Sequence, residues 1–268
     1  FKIGAKVTKF KVGDKVLIEP GVPDDTCEYC RTGRYNICPG VDFMATQPNY
    51  KGALTQYMTH PEEWTYHIPE GMTTMEGALV EPAAVGMHAA VLGGGTIGLM
   101  VLQACISLGA TDITVVDVIE KRLELAKKLG AARVINGKEE DTVAVLRSEE
   151  MYGDHGVDLV FEAAGAVFTA QQAVQIVSRG GKIMMVGTQS KPVPIDFLKI
   201  NREVTIQTSF RYCNNFPQTI EAISSGRFNV KDMVTNIYDY EDVQKAFEEA
   251  IDPVKKTEMV KGVIKVAE

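Results

Sequence analysis

The segment Val91-Leu92-Gly93-Gly94-Gly95-Thr96-Ile97-Gly98 limits what this chain can fold into more than any other. It sets the G-x-G-x-x-G spacing between an apolar strand end and an apolar helix. Gly93 permits a tight turn, Gly95 lets backbone approach a diphosphate, and Gly98 lets helix and strand pack closely. The helix start over Thr96 and Ile97 then offers free N–H groups and a favourable dipole to phosphates. Glycine-rich turns are common, so the motif needs support. Asp117 supplies it, nineteen residues past Gly98 at the end of the next strand. A carboxylate there accepts from ribose hydroxyls and repels a 2′-phosphate. Val118 and Ile119 offer no cation to receive that phosphate, and Arg122 is placed to lie along the adenine ribose. The competing reading makes Asp117 a helix N-cap and Arg122 a solvated helix residue. Motif, spacing and context together favour NAD.

The surroundings carry the expected rhythm. Strand-like runs at 113–116, 133–135, 158–161 and 182–187 alternate with helical stretches at 119–129, closed by Gly130, and at 169–177. This predicts a doubly wound parallel sheet, an α/β Rossmann domain at 83–211. Residues 181–188, Val186 and Gly187 among them, and Phe210 are expected to pass the nicotinamide end, offering backbone groups to the carboxamide. From residue 2 to about 81 the chain reads as short strands, with alternation at 7–10 and 15–18 around Val12-Gly13-Asp14. A helix is expected over 75–80. The tail reads as helices at 218–224 and 240–251 and a last strand at 262–266. A β-rich catalytic domain is expected from 1–82 together with 212–268.

A net charge of −7 excludes nucleic acid and anionic membrane as partners, since both require a positive field. No apolar run is long enough to span a bilayer. Five cysteines, three of them crowded at Cys27, Cys30 and Cys38, read as metal chemistry in a reducing compartment rather than disulfides, so the cytoplasm is expected. Cys27-x2-Cys30-x7-Cys38 suits structural zinc, which wants four ligands, and Asp24 repeats the x2 spacing as the fourth. The alternative is a decayed site with free thiols. Cys105 and Cys213 read as packing residues, and so does His88. His60, His67 and His155 sit in loop-like contexts. The acidic charge argues against a nucleic-acid-binding zinc ribbon.

The chain resembles the zinc-dependent medium-chain dehydrogenases, most closely their sorbitol (polyol) branch. The carrying segments are Phe10-Lys11-Val12-Gly13-Asp14-Lys15-Val16, Ile18-Glu19-Pro20-Gly21, Cys27 to Asn36, Glu76-Gly77-Ala78-Leu79-Val80-Glu81-Pro82, the glycine motif and Phe210-Arg211-Tyr212-Cys213-Asn214. The resemblance implies that the catalytic domain is GroES-like, and that a catalytic zinc polarises an alcohol so that hydride passes to NAD. It implies oxidation of a secondary alcohol of a sorbitol- or xylitol-like polyol to a ketose, in a homotetramer. Glu81 matches the glutamate that faces this zinc, directly or through water. Arg211 and Tyr212 match residues beside the substrate hydroxyls, and Phe43 matches an aromatic on the pocket wall. Ordinary readings compete: Glu81 as a helix cap, Arg211 in a surface ion pair, Phe43 in the core. The alternatives for the whole protein are a zinc-free reductase or a non-catalytic NAD-binding protein on the same fold.

The sequence departs from the family in three places. Asp24 stands where the family carries a cysteine. The segments with the family's first catalytic-zinc ligands are not found, and an N-terminal piece is expected upstream of Phe1. Finally, about a dozen family residues are absent before Val91. A strand needs roughly five or six residues, and only four separate His88 from Gly93. Residues are therefore expected to be missing at the Ala90–Val91 junction.

Overall fold

The computed structural model describes residues 2–46, 52–86, 91–200 and 203–266. In the first part, strand β1 (Val16–Ile18) pairs antiparallel with β4 (Thr65–His67), and β2 (Gly21–Val22) with β3 (Asp42–Phe43). Residues 7–10 alternate but form no strand. The N–H groups of Thr8 and Lys9 donate instead to the Glu62 carboxylate, at 3.0 and 2.9 Å. A short helix α1 (Glu28–Arg31) follows Cys27 in the cysteine loop.

The single helix expected over 75–80 is two helices, α2 (Thr74–Ala78) and α3 (Val80–Gly86). Thr73 and Glu76 start α2 with a reciprocal capping box. Pro82 lacks the N–H that would continue the ladder onto Ala78, so the helix must restart, and a proline is tolerated in the first turn of α3.

The middle of the chain alternates as expected: α4 (Thr96–Ser107), β5 (Thr114–Asp117), α5 (Glu120–Lys128), β6 (Arg133–Asn136), α6 (Thr142–Leu146), β7 (Val157–Glu162), α7 (Val167–Ile176), β8 (Val177–Met185) and β9 (Thr205–Thr208). All pairings are parallel, but they form two ladders, β5–β6 and β7–β8–β9. The ladders meet at a stub. Gly93 N–H donates to the Val116 carbonyl of β5 at 3.0 Å, and the Leu92 carbonyl accepts from Ala163 N–H, just past β7, at 2.6 Å. The spatial order is thus β6–β5–stub–β7–β8–β9. Residues 91–93 are too few to form the central strand. Beside the stub lies a cavity of about 300 Å³ lined by Val91, Leu92, Thr114, Val116, Leu159 and Phe161. Leu159 is 53% exposed although β7 is an inner strand. The Ala90–Val91 junction and His88 lie outside the described residues.

The tail adds α8 (Phe216–Ser224), β10 (Val234–Asp239), α9 (Val243–Ile251) and β11 (Lys261–Lys265), with β10 and β11 parallel. One apolar cluster unites the three parts. Val80 and Ala83 of α3, Leu99 and Leu102 of α4 and Phe216 of α8 share it, all at 1% exposure or less. Burying a side chain the size of Leu or Phe contributes about 2–3 kcal/mol, so this seam fixes α3 and α8 against the nucleotide half. Among the described residues, no helix is long and apolar enough to cross a membrane.

Candidate active site and metal loop

The glycine turn has the geometry its spacing predicts. Gly93 sits at φ +114°, and a Cβ there would lie 2.9 Å from the Ala164 nitrogen. A Cβ on Gly98 would overlap the Gly93 carbonyl oxygen. At Gly95 a Cβ would meet nothing nearer than Arg122 Nη1 at 3.9 Å, which leaves open room above the helix start. Gly95 is the N-cap of α4, so the N–H groups of Thr96, Ile97 and Gly98 have no intrahelical acceptor. The Thr96 hydroxyl is taken by the Val260 carbonyl and is not free for a ligand.

Asp117 is buried at the end of β5. One oxygen accepts from Gly94 N–H at 2.7 Å, the other from Val118 and Ile119 N–H at 2.7 and 2.9 Å. Ile119, not Asp117, occupies the N-cap of α5, so the capping alternative is not realised. Arg122 pairs with Asp117 at 3.7 Å, and its buried Nε has no hydrogen-bond partner. Carboxylate, orphaned guanidinium nitrogen and open helix start make a cradle that fits a dinucleotide.

At the far end the structure narrows which backbone groups could meet a carboxamide. The N–H groups of Val186 and Gly187 both donate to the Glu162 carbonyl at 2.8 Å, so they are not free for a carboxamide. The Glu162 carboxylate is fully buried and binds the N–H groups of Ala164 and Gly165, the Thr169 hydroxyl and the Gln189 amide. Phe210 is 56% exposed and lies against Arg211.

In the cysteine loop, the candidate ligand atoms of Asp24, Cys27, Cys30 and Cys38 all lie within 4.8 Å of one another. The Cys27 and Cys30 sulfurs are 3.4 Å apart, and Cys30 Sγ is 3.5 Å from an Asp24 oxygen. Sulfurs around tetrahedral zinc stand roughly 3.8 Å apart, so the set fits zinc with little movement. The N–H groups of Thr26 and Cys27 hold the Asp24 carboxyl far below the usual carboxylate range, and the Cys30 N–H lowers the Cys27 thiol. Both therefore favour the anionic form that a metal needs. Desolvation pushes the Cys30 thiol up to about 12. All five cysteines are free. Cys105 packs as expected, whereas Cys213 donates to the Gly33 carbonyl and tethers a loop.

The remaining four candidates converge. Glu81 lies in the first turn of α3, and burial raises its pKa. Tyr212 is 3% exposed, and its hydroxyl faces the Glu81 carboxyl without a well-formed hydrogen bond among the described residues. Burial, and then the Glu81 charge, push that hydroxyl far above its ordinary pKa. The Phe43 ring stands 6.5 Å from the Tyr212 ring, and the Arg211 guanidinium lies over Phe43 at 4.5 Å. Among the described residues Arg211 makes no ion pair; its guanidinium packs on the Phe43 and Phe210 rings instead. Its φ of +56° is unusual for a non-glycine residue. Glu81 alone does not make a zinc site, and the Asp24 group is the only set of three or more candidate ligands among the described residues.

One residue given no role by its sequence proves central. Glu19 is fully buried, accepting from the Tyr35 hydroxyl at 2.7 Å and the Tyr66 hydroxyl at 2.9 Å. Only its place in a short segment shared with the family marked it out.

Known proteins fit this geometry. The alcohol dehydrogenase GroES-like domain matches residues 1–70, and the zinc-binding dehydrogenase family matches residues 96–225. The chain is 40% identical to sorbitol dehydrogenase of Bacillus subtilis, over 93% of the chain and 74% of that enzyme. The chain belongs to the zinc-type alcohol dehydrogenases. It is 61% identical to an uncharacterized zinc-type alcohol dehydrogenase-like protein of Escherichia coli, over 99% of the chain and 79% of that protein. That alignment runs over 278 positions against 268 residues here, so the relative carries residues with no counterpart in this chain. The solved structure of 2R,3R-butanediol dehydrogenase from Bacillus subtilis matches with a TM-score of 0.87 at 29% identity, over 98% of this chain and 77% of that one. As a zinc-type alcohol dehydrogenase, the protein combines a GroES-like part with a Rossmann part and works with zinc and NAD.

Proposed function

We propose that the protein oxidises a secondary alcohol of a sorbitol- or xylitol-like polyol to a ketose, passing hydride to NAD. The observation that carries this is the convergence of Glu81, Arg211, Tyr212 and Phe43, with Arg211 in no ion pair among the described residues and the Tyr212 hydroxyl turned toward Glu81. A polyol presents several hydroxyls along an extended chain. Arg211 donates to their oxygens, Tyr212 donates or accepts, and Phe43 walls the carbon chain while keeping water out. Glu81 faces the reacting carbon. Zinc, when held near Glu81, lowers the pKa of the alcohol. The described residues do not complete that site, so these roles belong to protein groups alone.

Asp117 and Arg122 hold the adenine ribose, and the N-terminus of α4 holds the diphosphate. Asp24, Cys27, Cys30 and Cys38 hold a structural zinc that braces their loop and does no chemistry. The nucleotide domain spans 83–211, and the catalytic domain spans 1–82 and 212–268. The sorbitol dehydrogenase at 40% identity and D-xylulose reductase of Morganella morganii at 34% support the choice of substrate. A cytoplasmic homotetramer completes the proposal.

The test is steady-state turnover with NAD on sorbitol, xylitol, threonine, butanediol and a simple monoalcohol. Arg211→Ala should cut polyol kcat/KM about 10–100-fold, the effect of one hydrogen bond to a charged group, and leave NAD binding unchanged. Equal losses for monoalcohol and polyol would make Arg211 structural. No turnover of any sugar alcohol by the wild type would end the polyol reading.

A further inference from the structure

We infer that Glu19 is a positioning residue, a buried fork whose two oxygens hold the loop carrying Arg211 and Tyr212 from both sides. This rests on the reading of Arg211 and Tyr212 as substrate contacts. On one side, the Tyr35 hydroxyl donates to Glu19 Oε1 at 2.7 Å and accepts from Asn214 N–H at 2.9 Å. On the other, the Tyr66 hydroxyl donates to Glu19 Oε2 at 2.9 Å. The Tyr66 ring stacks on Phe216 at 5.4 Å, and Phe216 packs on Tyr212 at 5.3 Å. Each carboxylate oxygen thus reaches one end of the 211–214 segment through one tyrosine.

That segment needs holding. Arg211 and Asn214 both adopt left-handed backbone, at φ +56° and +57°, a conformation that persists in non-glycine residues when surrounding contacts enforce it. The cysteine loop supplies hydrogen bonds for this: Asn36 Nδ2 donates to the Phe210 carbonyl at 2.9 Å, and the Cys213 and Asn214 side chains donate to the Gly33 carbonyl. Glu19 itself is fixed through its backbone, its N–H donating to the Trp64 carbonyl and its carbonyl meeting His60 Nε2 at 3.1 Å. A fully buried carboxylate that, among the described residues, accepts from two tyrosine hydroxyls alone is costly for stability. Its geometric output is the placement of the pocket's arginine and tyrosine.

The experiment uses Tyr35→Phe, which keeps the ring against Trp64 (centroids 4.8 Å apart) and removes only the bridging hydroxyl. Hydrogen exchange at the Asn214 amide is read beside KM and kcat for sorbitol and the KM for NAD. We expect exchange at Asn214 to accelerate and the sorbitol KM to rise about tenfold, the ratio for one lost hydrogen bond, with the NAD KM unchanged. Glu19→Gln, which keeps one acceptor oxygen, should give a smaller rise, and Tyr35→Phe with Asn214→Gly should speed exchange at the position-214 amide still further. Unchanged Asn214 exchange in both Tyr35→Phe and Glu19→Gln overturns the fork. Faster exchange with an unchanged sorbitol KM upholds the fork as a holding device, and the substrate role of Arg211 and Tyr212 is what falls.

Discussion

Asp117→Asn tests both jobs assigned to that carboxylate. Asparagine has one acceptor oxygen, so either the Gly94 bond at 2.7 Å or the pair to Val118 and Ile119 must be lost. A hydrogen bond to a charged group contributes about 1.5–3 kcal/mol. Stability should fall by about that amount, a drop of roughly 3–12 °C in Tm for a chain of this size. Discrimination follows from Coulomb's law. A 2′-phosphate with nearly two charges about 5 Å from the carboxylate is repelled by about 2–7 kcal/mol at an effective dielectric of 80 to 20. Arg122, 3.7 Å from Asp117, offsets part of that field, so the lower figure applies, a preference for NAD of about 30-fold. Neutralising Asp117 removes the repulsion and frees Arg122 for a phosphate. The NADP-to-NAD affinity ratio, measured by calorimetric titration, should therefore rise by about 30-fold or more. Wild type binding both nucleotides equally, or a ratio unmoved by the substitution, would refute the reasoning.

Three further outcomes are expected. Elemental analysis of Cys30→Ser should show one zinc fewer per subunit than wild type, and equal zinc contents would remove the Asp24–Cys27–Cys30–Cys38 site. Inserting a strand-forming segment with its turn between Ala90 and Val91 should fill the 300 Å³ cavity. At about 24 cal/mol per Å³ the ceiling is about 7 kcal/mol, so a Tm that fails to rise would show that the cavity is no strand vacancy. Burial holds Glu19 above its ordinary value of 4.5 despite its two tyrosine donors. Its contribution to stability is thus complete below that value and lost as pH rises through the native pKa. The Tm of Glu19→Gln relative to wild type should climb with pH across that window, and a flat difference would contradict it.

What was legible in the sequence was local. Gly93, Gly95, Gly98 and Asp117 signal through spacing alone, because each meets a backbone requirement of one turn. Phe43, Glu81, Arg211 and Tyr212 have no such pattern and were readable only through family resemblance, yet they converge. Glu19 was not legible because glutamate normally marks surface, and its partners lie 16 and 47 residues away. Alternation at 7–10 misled because a single carboxylate, Glu62, captured the N–H groups that a neighbouring strand would have taken. Thr96, Val186 and Gly187 sit where expected, but the Thr96 hydroxyl and the Val186 and Gly187 N–H groups are used inside the protein.

The stub at Leu92 and Gly93 has a mechanical consequence. Among the described residues it makes one backbone bond to each side, where a full ladder would make several. The two ladders should then open as separate cooperative units in native-state exchange, and denaturation should spread over more than one transition. A dinucleotide held, as proposed, at Asp117 and the α4 N-terminus and reaching toward β8 would bridge both units. Its binding energy is spent partly on splinting them together, so cofactor should sharpen the melt as well as raise its midpoint.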